Sequence, residues 1–276
     1  MRALLTTLLL FAAATATANP CQFKDERDFS VDTAGLAALA FELASSDIHV
    51  RGEPNLNTIQ VHTRACASDE SKLAGLTVEQ KKNGDRVILI PHQDDSQTFS
   101  LFGSHYAFID LDVRVPLALA IEVKSRSGDA DIADVAALDF SSHSGDLILH
   151  RVKGNVVVDV HSGDVTADEV GNFTLRHSGS GDIRARDVRG DVKVGHVGSG
   201  DLVFADVTHG VSIEAVGSGD INVSHTGGDV VVGSIGSGDV TVASVGGDFR
   251  VDASGSGDIH HRDVHGKVQV PHTDED

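Results

Sequence analysis

The chain has 276 residues, with 22 Lys and Arg against 41 Asp and Glu, for a formal charge of −19. That balance argues against nucleic acid and anionic membrane surfaces as partners. Aromatic residues make up 4% of the chain, with no Trp and one Tyr, so stacking platforms for sugars are scarce.

Residues 1–18 read as an export leader. Arg2 precedes the apolar run Ala3-Leu4-Leu5 through Leu8-Leu9-Leu10-Phe11-Ala12, and Ala16-Thr17-Ala18 supplies a small-x-small cleavage site. No later apolar segment approaches 18 residues, so no transmembrane segment is expected after cleavage, and the product goes to the periplasm or the cell surface. Cys21 raises the question of lipid attachment, but Pro20 directly before it fits a lipobox poorly. Cys21 and Cys66 are the only cysteines, and in an exported chain two cysteines read as one disulfide. Loop closure of that length contributes at most about 4 kcal/mol.

Residues 19–125 read as an irregular, β-rich part that caps one end of a repetitive rod. Phe29-Ser-Val31, Leu39-Ala-Phe41-Glu-Leu43 and Ile59-Gln-Val61 alternate apolar and polar positions, the two-residue period of a half-buried strand. Ser46-Asp47-Ile48-His-Val50-Arg-Gly52 looks like a degenerate copy of the phrase that fills residues 126–270. Ser68 to Leu76 reads as a short helix. Val78-Glu-Gln80 and Val87 to Ile90 flank Asn83-Gly84, a hairpin signal. Gln93 to Gly103 is polar and loop-like. Leu111-Asp-Val113-Arg-Val115-Pro116 and Leu119-Ala-Ile121-Glu-Val123 are further strands.

Residues 126–270 repeat one phrase, Gly-Ser-Gly-Asp-aliphatic. Aspartates follow a glycine at Asp129, Asp146, Asp164, Asp182, Asp201, Asp220, Asp239 and Asp258, at steps of 17, 18, 18, 19, 19, 19 and 19 residues. A fixed period of this size predicts a solenoid, in which each repeat buries its apolar face only by stacking on its neighbours. In the coil from Gly198, apolar residues recur at Leu202, Phe204 and Val207, then at Val211, Ile213 and Val216. Each coil is therefore two short strands and two corners, and the fold expected is an all-β, single-stranded parallel β-solenoid of about 19 residues per coil. Val192, Val211, Val230, Phe249 and Val268 should form one inward column, and Leu202, Ile221, Val240 and Ile259 another. Eight coils at the ordinary strand spacing make a rod of roughly 38 Å. Right-handed winding is the default for parallel crossovers. Residues 271–276, with Pro271 and Asp274-Glu275-Asp276, form an acidic tail that closes the far end.

The order of strand, Asn-Gly hairpin, Leu111 to Pro116, Ser127-Gly128-Asp129, Ser144-Gly145-Asp146 and the later Gly-Ser-Gly-Asp phrases through Asp258 resembles bacterial adhesin-like families of unknown function, including the head GIN type. The resemblance covers nearly the whole mature chain. It implies a parallel β-solenoid on an exported protein, with adhesion as the function and no catalytic residues to carry over.

Three polar columns bear on chemistry. The first is the Gly-Asp series. The second is Asp134, Arg151, Glu169, Asp187, Asp206, His225, Ser244 and Asp263, and the third is Asn155, Asn172, Asp191, Asp229 and Asp248. Stacked carboxylates about 5 Å apart repel by roughly 1 kcal/mol per pair in water, so something must offset them. Turn chemistry is the plain answer, because Asp bonds local backbone in Gly-Asp corners. The sharper answer is calcium, with Asp146, Asp164, Asp182, Asp201, Asp220, Asp239 and Asp258 as hard oxygen ligands. Calcium-binding β-rolls, however, set a residue between Gly and Asp, and here the two are adjacent. Of 15 histidines, His143, His161, His177 and His196 fall near one column, and His260, His261 and His265 cluster near the end. No compact zinc spacing accompanies them.

Arg151, Arg176, Arg184, Arg186 and Arg189 lie near aspartates, as in carbohydrate-active β-helix enzymes. The repeats are monotonous, though, and there is no Gly-x-Ser-x-Gly elbow or phosphate loop. The expectation is a non-enzymatic scaffold that needs no cofactor and whose partners are envelope or surface glycans or proteins. A calcium-binding module is the alternative and a carbohydrate-active enzyme a distant third.

Overall fold

A computed structural model describes residues 21–93 and 106–271. The leader, most of the polar loop after Gln93 and the tail beyond Pro271 lie outside the described residues. The rest forms two twelve-stranded sheets around one apolar core. From Ala120 onward each coil gives one strand to each sheet, and the next coil lands in parallel beside it. The two expected columns are in register, Val192, Val211, Val230, Phe249 and Val268 in one sheet and Leu202, Ile221, Val240 and Ile259 in the other, although Val268, on the last described strand of its sheet, is exposed rather than inward. The chain is a parallel β-solenoid.

The inward spacing of two residues and then three has a backbone cause. Leu202, Phe204 and Val207 are all buried, although 204 and 207 would face opposite sides of a plain strand. Asp206 between them takes φ 55°, as do its counterparts Asp134, Arg151, Glu169, Asp187, His225, Ser244 and Asp263 at φ between 51° and 61°. One left-handed residue turns the strand so that the next side chain points inward. It costs about 1–2 kcal/mol, and burying a valine returns about 1.5–3 kcal/mol. The second polar column is thus the set of residues that turn each coil into its corner.

Coil length depends on two optional insertions. In the coil opened by Asp129 the corner runs in three residues from Val135 to Leu138, and the strand Ala137–Ser142 pairs with Val156–Ser162 without a break. The coil from Asp146 takes four residues from Val152 to Val156, which makes it 18 long. In the coil from Asp164 the corner is short again, but Phe173–Ser180 carries a bulge in which Arg176 is skipped. From Asp182 onward both insertions are present, and the step settles at 19.

The Gly-Ser-Gly phrase is dictated by how closely coils stack. A Cβ on Gly198 would lie 2.4 Å from the carbonyl oxygen of Gly179 in the preceding coil. Gly200 takes φ 122°, and a Cβ there would lie 2.1 Å from the carbonyl oxygen of Gly181.

The N-terminal end is built differently. Ala38–Leu43 lies between Arg86–His92 and Ala120–Ser125, parallel to both. Ile48–Glu53 lies between Ala107–Pro116 and Ala130–Ala133 in the same way. The Ser46 to Gly52 phrase is therefore a true coil, slotted between two that come later in sequence. Beyond it, Thr58–Ala67 pairs antiparallel with Ala107–Pro116, and Phe23–Asp32 pairs antiparallel with Thr58–Ala67. The other sheet ends in the hairpin Thr77–Asn83 and Arg86–His92, where Asn83 pairs with Arg86. Its tight turn is consequently Gly84-Asp85, one residue later than the Asn83-Gly84 signal suggested, with Gly84 at φ 63°. The helix is a single turn, Glu70–Leu73, capped by the Asp69 carboxylate on the Ser71 N–H. Cys21 and Cys66 form a disulfide with Cα atoms 5.7 Å apart, which ties the first strand's start to the end of Thr58–Ala67.

Candidate functional site

The Gly-Asp column is a hydrogen-bond ladder. Each aspartate N–H donates to the Oδ1 of the aspartate one coil earlier: Asp146 to Asp129, Asp164 to Asp146, Asp182 to Asp164 and Asp201 to Asp182, all at 2.9–3.0 Å. Asp220, Asp239 and Asp258 continue the series at 2.8–2.9 Å. Two rungs extend it into the interleaved end, where Asp129 donates to Asp47 at 2.8 Å and Asp47 to Asp110 at 3.3 Å. Each backbone N–H brings a positive partial charge to the carboxylate that accepts it, which offsets repulsion along the column. At Asp182 the Asp201 N–H, with Arg184 at 2.8 Å, holds the carboxyl below its ordinary range. Burial pushes the Asp110 carboxyl up instead.

The third polar column repeats this device at the opposite corner. Asp191 donates to Asn172, Gly210 to Asp191, Asp248 to Asp229 and Lys267 to Asp248, at 2.7–3.2 Å. Among the described residues no three Asp, Glu, His or Cys side chains gather closely enough to hold a metal ion.

The histidines fall into two columns rather than one. His143 and His161 stack with ring centroids 4.7 Å apart, while His177 and His196 share a rung of the neighbouring outward column. At the far end His261 shares a rung with buried Val242 and tilts against Phe249 at 6.1 Å, but is itself exposed because no described strand covers it. The arginines serve single ion pairs: Arg151 grips Asp134 through two 2.7 Å bonds, Arg176 lies 3.7 Å from Asp139, and Arg186 lies 3.7 Å from Asp168. Arg189 instead donates to the Val152 carbonyl at 2.8 Å.

A groove at the interleaved end brings together residues that the repeat pattern does not contain. It has a volume of about 1010 Å³ and lies on the outer face of Phe23–Asp32, Thr58–Ala67, Ala107–Pro116 and Ile48–Glu53. Across it runs a row of alternating acid and imidazole, Asp28, His62, Asp112 and His49, each in register with the next, and Asp131 continues the row on Ala130–Ala133 beyond the lining. His62 Nδ1 lies 2.6 Å from Asp28 Oδ1, and His49 Nδ1 lies 3.9 Å from Asp131 Oδ2. A second row, two residues along, reads Gln60, Arg114 and Arg51. Arg51 is clamped on Asp131 at 2.5 Å and on the Asp131 carbonyl at 2.9 Å. Arg64 reaches Asp112 at 3.3 Å, and Arg114 reaches Glu53 at 3.5 Å.

A family model, Toastrack DUF4097, matches residues 36–262. The chain belongs to this family. The Toastrack match contains the whole ladder from Asp47 to Asp258 and three of the four groove strands; Phe23–Asp32 lies before it. No curated protein matches the chain. Solved structures similar to it include a candidate adhesin from Bacteroides fragilis, at 15% identity over 91% of this chain and 99% of that one, with a TM-score of 0.32. A candidate lipid-binding protein from Parabacteroides distasonis is 13% identical over 91% and 97%, with a TM-score of 0.36. A candidate cell adhesion protein from Clostridium sporogenes is 10% identical over 90% and 100%, with a TM-score of 0.32.

Two features of this Toastrack chain escaped the sequence pattern. Asp110 is a ladder rung, and its signal was present as Asp110-Leu111-x-Val113, the aspartate-aliphatic-x-aliphatic phrase without its glycine. The groove had no such signal, because its rows are assembled from five strands between residues 28 and 131.

Proposed function

We propose that the chain is an exported, non-enzymatic β-solenoid scaffold of adhesin type, which presents its outer surface to a glycan or protein of the cell envelope or cell surface. The aspartate ladder carries this reading. The residues that recur most, and that would otherwise be the candidate ligands or catalysts, bond one coil to the next and make a stiff rod. The leader pattern and the disulfide support export, since disulfides persist in oxidising compartments. The test is a pull-down of envelope fractions with the mature protein. Saturable binding that survives single Asp→Asn changes at Asp164 or Asp220 is expected, and absence of binding to every fraction removes the adhesin role.

A calcium module at Asp146, Asp164, Asp182, Asp201, Asp220, Asp239 and Asp258 is the second reading. It is favoured by the second carboxylate oxygen that the ladder does not use, although at Asp182 Arg184 takes that oxygen. Melting with calcium and with EDTA tests it: the ladder reading expects coincident curves, and a calcium-dependent rise of several degrees would turn the rungs into ligands.

A further inference from the structure

We propose that the groove at the interleaved end binds an acidic oligosaccharide, with a sugar carboxylate held between Arg51 and Arg114. The inference deepens the scaffold reading by naming a contact surface and a ligand class.

Arg51 and Arg114 occupy the same rung of adjacent parallel strands and face the same side. Like charges directly opposite each other destabilise a sheet, so a bridging anion would relieve what Asp131 and Glu53 leave of that repulsion. The anions in place do not bridge the pair: Asp131 holds Arg51 from one side, and Glu53 lies 3.5 Å from Arg114. Each guanidinium has five N–H donors in a planar fork, so both keep donors for a bridging carboxylate. Arg114 is 63% exposed and Arg51 42%, so a ligand can reach them.

The surroundings narrow the ligand further. The neighbouring row interleaves carboxylates with imidazoles, and Gln60 adds an amide beside Arg114. A row of alternating acceptors and donors suits a chain of hydroxyls, each of which both donates and accepts. A lipid or an apolar peptide would give the exposed imidazoles and carboxylates of that row nothing further to bond. Hydroxyls and spaced carboxylates on one molecule describe a uronic-acid oligosaccharide, and the groove's volume of about 1010 Å³ is large enough for several sugar units. Recognition would then rest on hydrogen bonds rather than ring stacking, in keeping with a chain that has no Trp.

The experiment is calorimetric titration of the mature protein with oligogalacturonate, with maltohexaose as the uncharged counterpart and phosphatidylglycerol vesicles as the lipid arm. Oligogalacturonate should bind, maltohexaose should bind at least 10-fold more weakly, and the vesicles should not bind. Arg114→Gln should weaken oligogalacturonate binding about 10-fold. Arg51→Gln should do the same, but it also frees Asp131, so its melting curve is measured alongside and Arg114→Gln decides if it unfolds. Arg184→Gln, on a distant coil, should leave binding unchanged. No binding of oligogalacturonate, equal binding of maltohexaose, indifference to Arg114→Gln, or binding of vesicles alone would each overturn the proposal. Envelope binding that is indifferent to Arg114→Gln would sink the groove and leave the scaffold reading standing. Oligogalacturonate binding without any envelope binding would do the reverse.

Discussion

In the coils after Asp129, each strand pairs with strands 17 to 19 residues away, and each rung repeats the one before it. At the N-terminal end the partners are distant: Ala38 pairs with Ala120, Ile48 with Leu111 and with Ala130, and Phe23 with Ala67. The two regions differ in what regularity costs them. Repetition leaves a coil little freedom, because its corners need glycine where backbones nearly touch and aspartate where a carboxylate must accept the next N–H. The interleaved end meets these demands at only a few positions, the close approach of Gly52 to the Asp134 carbonyl and the rungs at Asp47 and Asp110. Its outward positions can hold Arg, His, Gln and Asp in a sequence that never repeats, and its antiparallel strands shape the groove. The proposed binding chemistry therefore gathers where the repeat stops.

The sharpest way to break this comparison is to put the same methyl group into each region. Gly200→Ala places a Cβ 2.1 Å from the Gly181 carbonyl oxygen at φ 122°, so backbone strain and overlap should together cost about 4 kcal/mol. Gly84→Ala sits in the hairpin turn at φ 63° with nothing within 4 Å of the added carbon, and should cost about 1 kcal/mol. Chemical denaturation of the two variants measures the difference. Equal losses would show that coil stacking does not impose the glycines.

Removing the disulfide tests the other side. With Cys21→Ser and Cys66→Ser together, the antiparallel end loses a cross-link between the start of Phe23–Asp32 and the end of Thr58–Ala67. A loss of about 3 kcal/mol is expected, confined to that end. Hydrogen exchange should speed up in Phe23–Asp32 and Thr58–Ala67, while strands such as Leu202–Val207 keep their protection, because solenoid coils depend on their nearest neighbours. Uniform acceleration along the rod would mean that the two regions unfold as one unit.

The same contrast decides what could be read in advance. The solenoid, its two inward columns and the cross-link were legible because a stacked coil repeats its pattern at a fixed step and because only two cysteines were available. The left-handed corner column was visible as a polar series but not as a backbone feature, since the acids Asp134 and Glu169, the bases Arg151 and His225 and the hydroxyl of Ser244 have only φ in common. The steps of 17, 18 and 19 encoded the corner and bulge insertions, though not which insertion came first. The groove was not legible, because putting His49 beside Asp112 and Asp131 requires the registers of three strands that are far apart in sequence.

The smallest expected effect lies within the ladder, where one chemical group meets both environments. Asp182 is held below its ordinary range, first by the Asp201 N–H and then by Arg184. A depressed folded pKa contributes stability that is present above the unfolded value, about 3.9, and that is lost as pH falls through the folded value. Asp110 is shifted upward, chiefly by burial, against the pull of the Asp47 N–H. Its contribution has the opposite sign: it is present below about pH 3.9 and lost as pH rises through the raised folded value, so the ionised group is a cost at neutral pH. Asn keeps one oxygen to accept the ladder N–H at either position and removes the charge; at Asp182 it also gives up the bond from Arg184. Asp182→Asn should therefore lose somewhat less than about 1 kcal/mol at pH 7, after discounting for solvent screening, and the loss should vanish in acid. Asp110→Asn should gain about as much at pH 7, and that gain should disappear by about pH 3. Urea titrations of both variants at the two pH values measure this. A loss at both positions would mean that the interleaved end uses its carboxylate as the coils do, and the distinction between the two regions would fail at the rung where they meet.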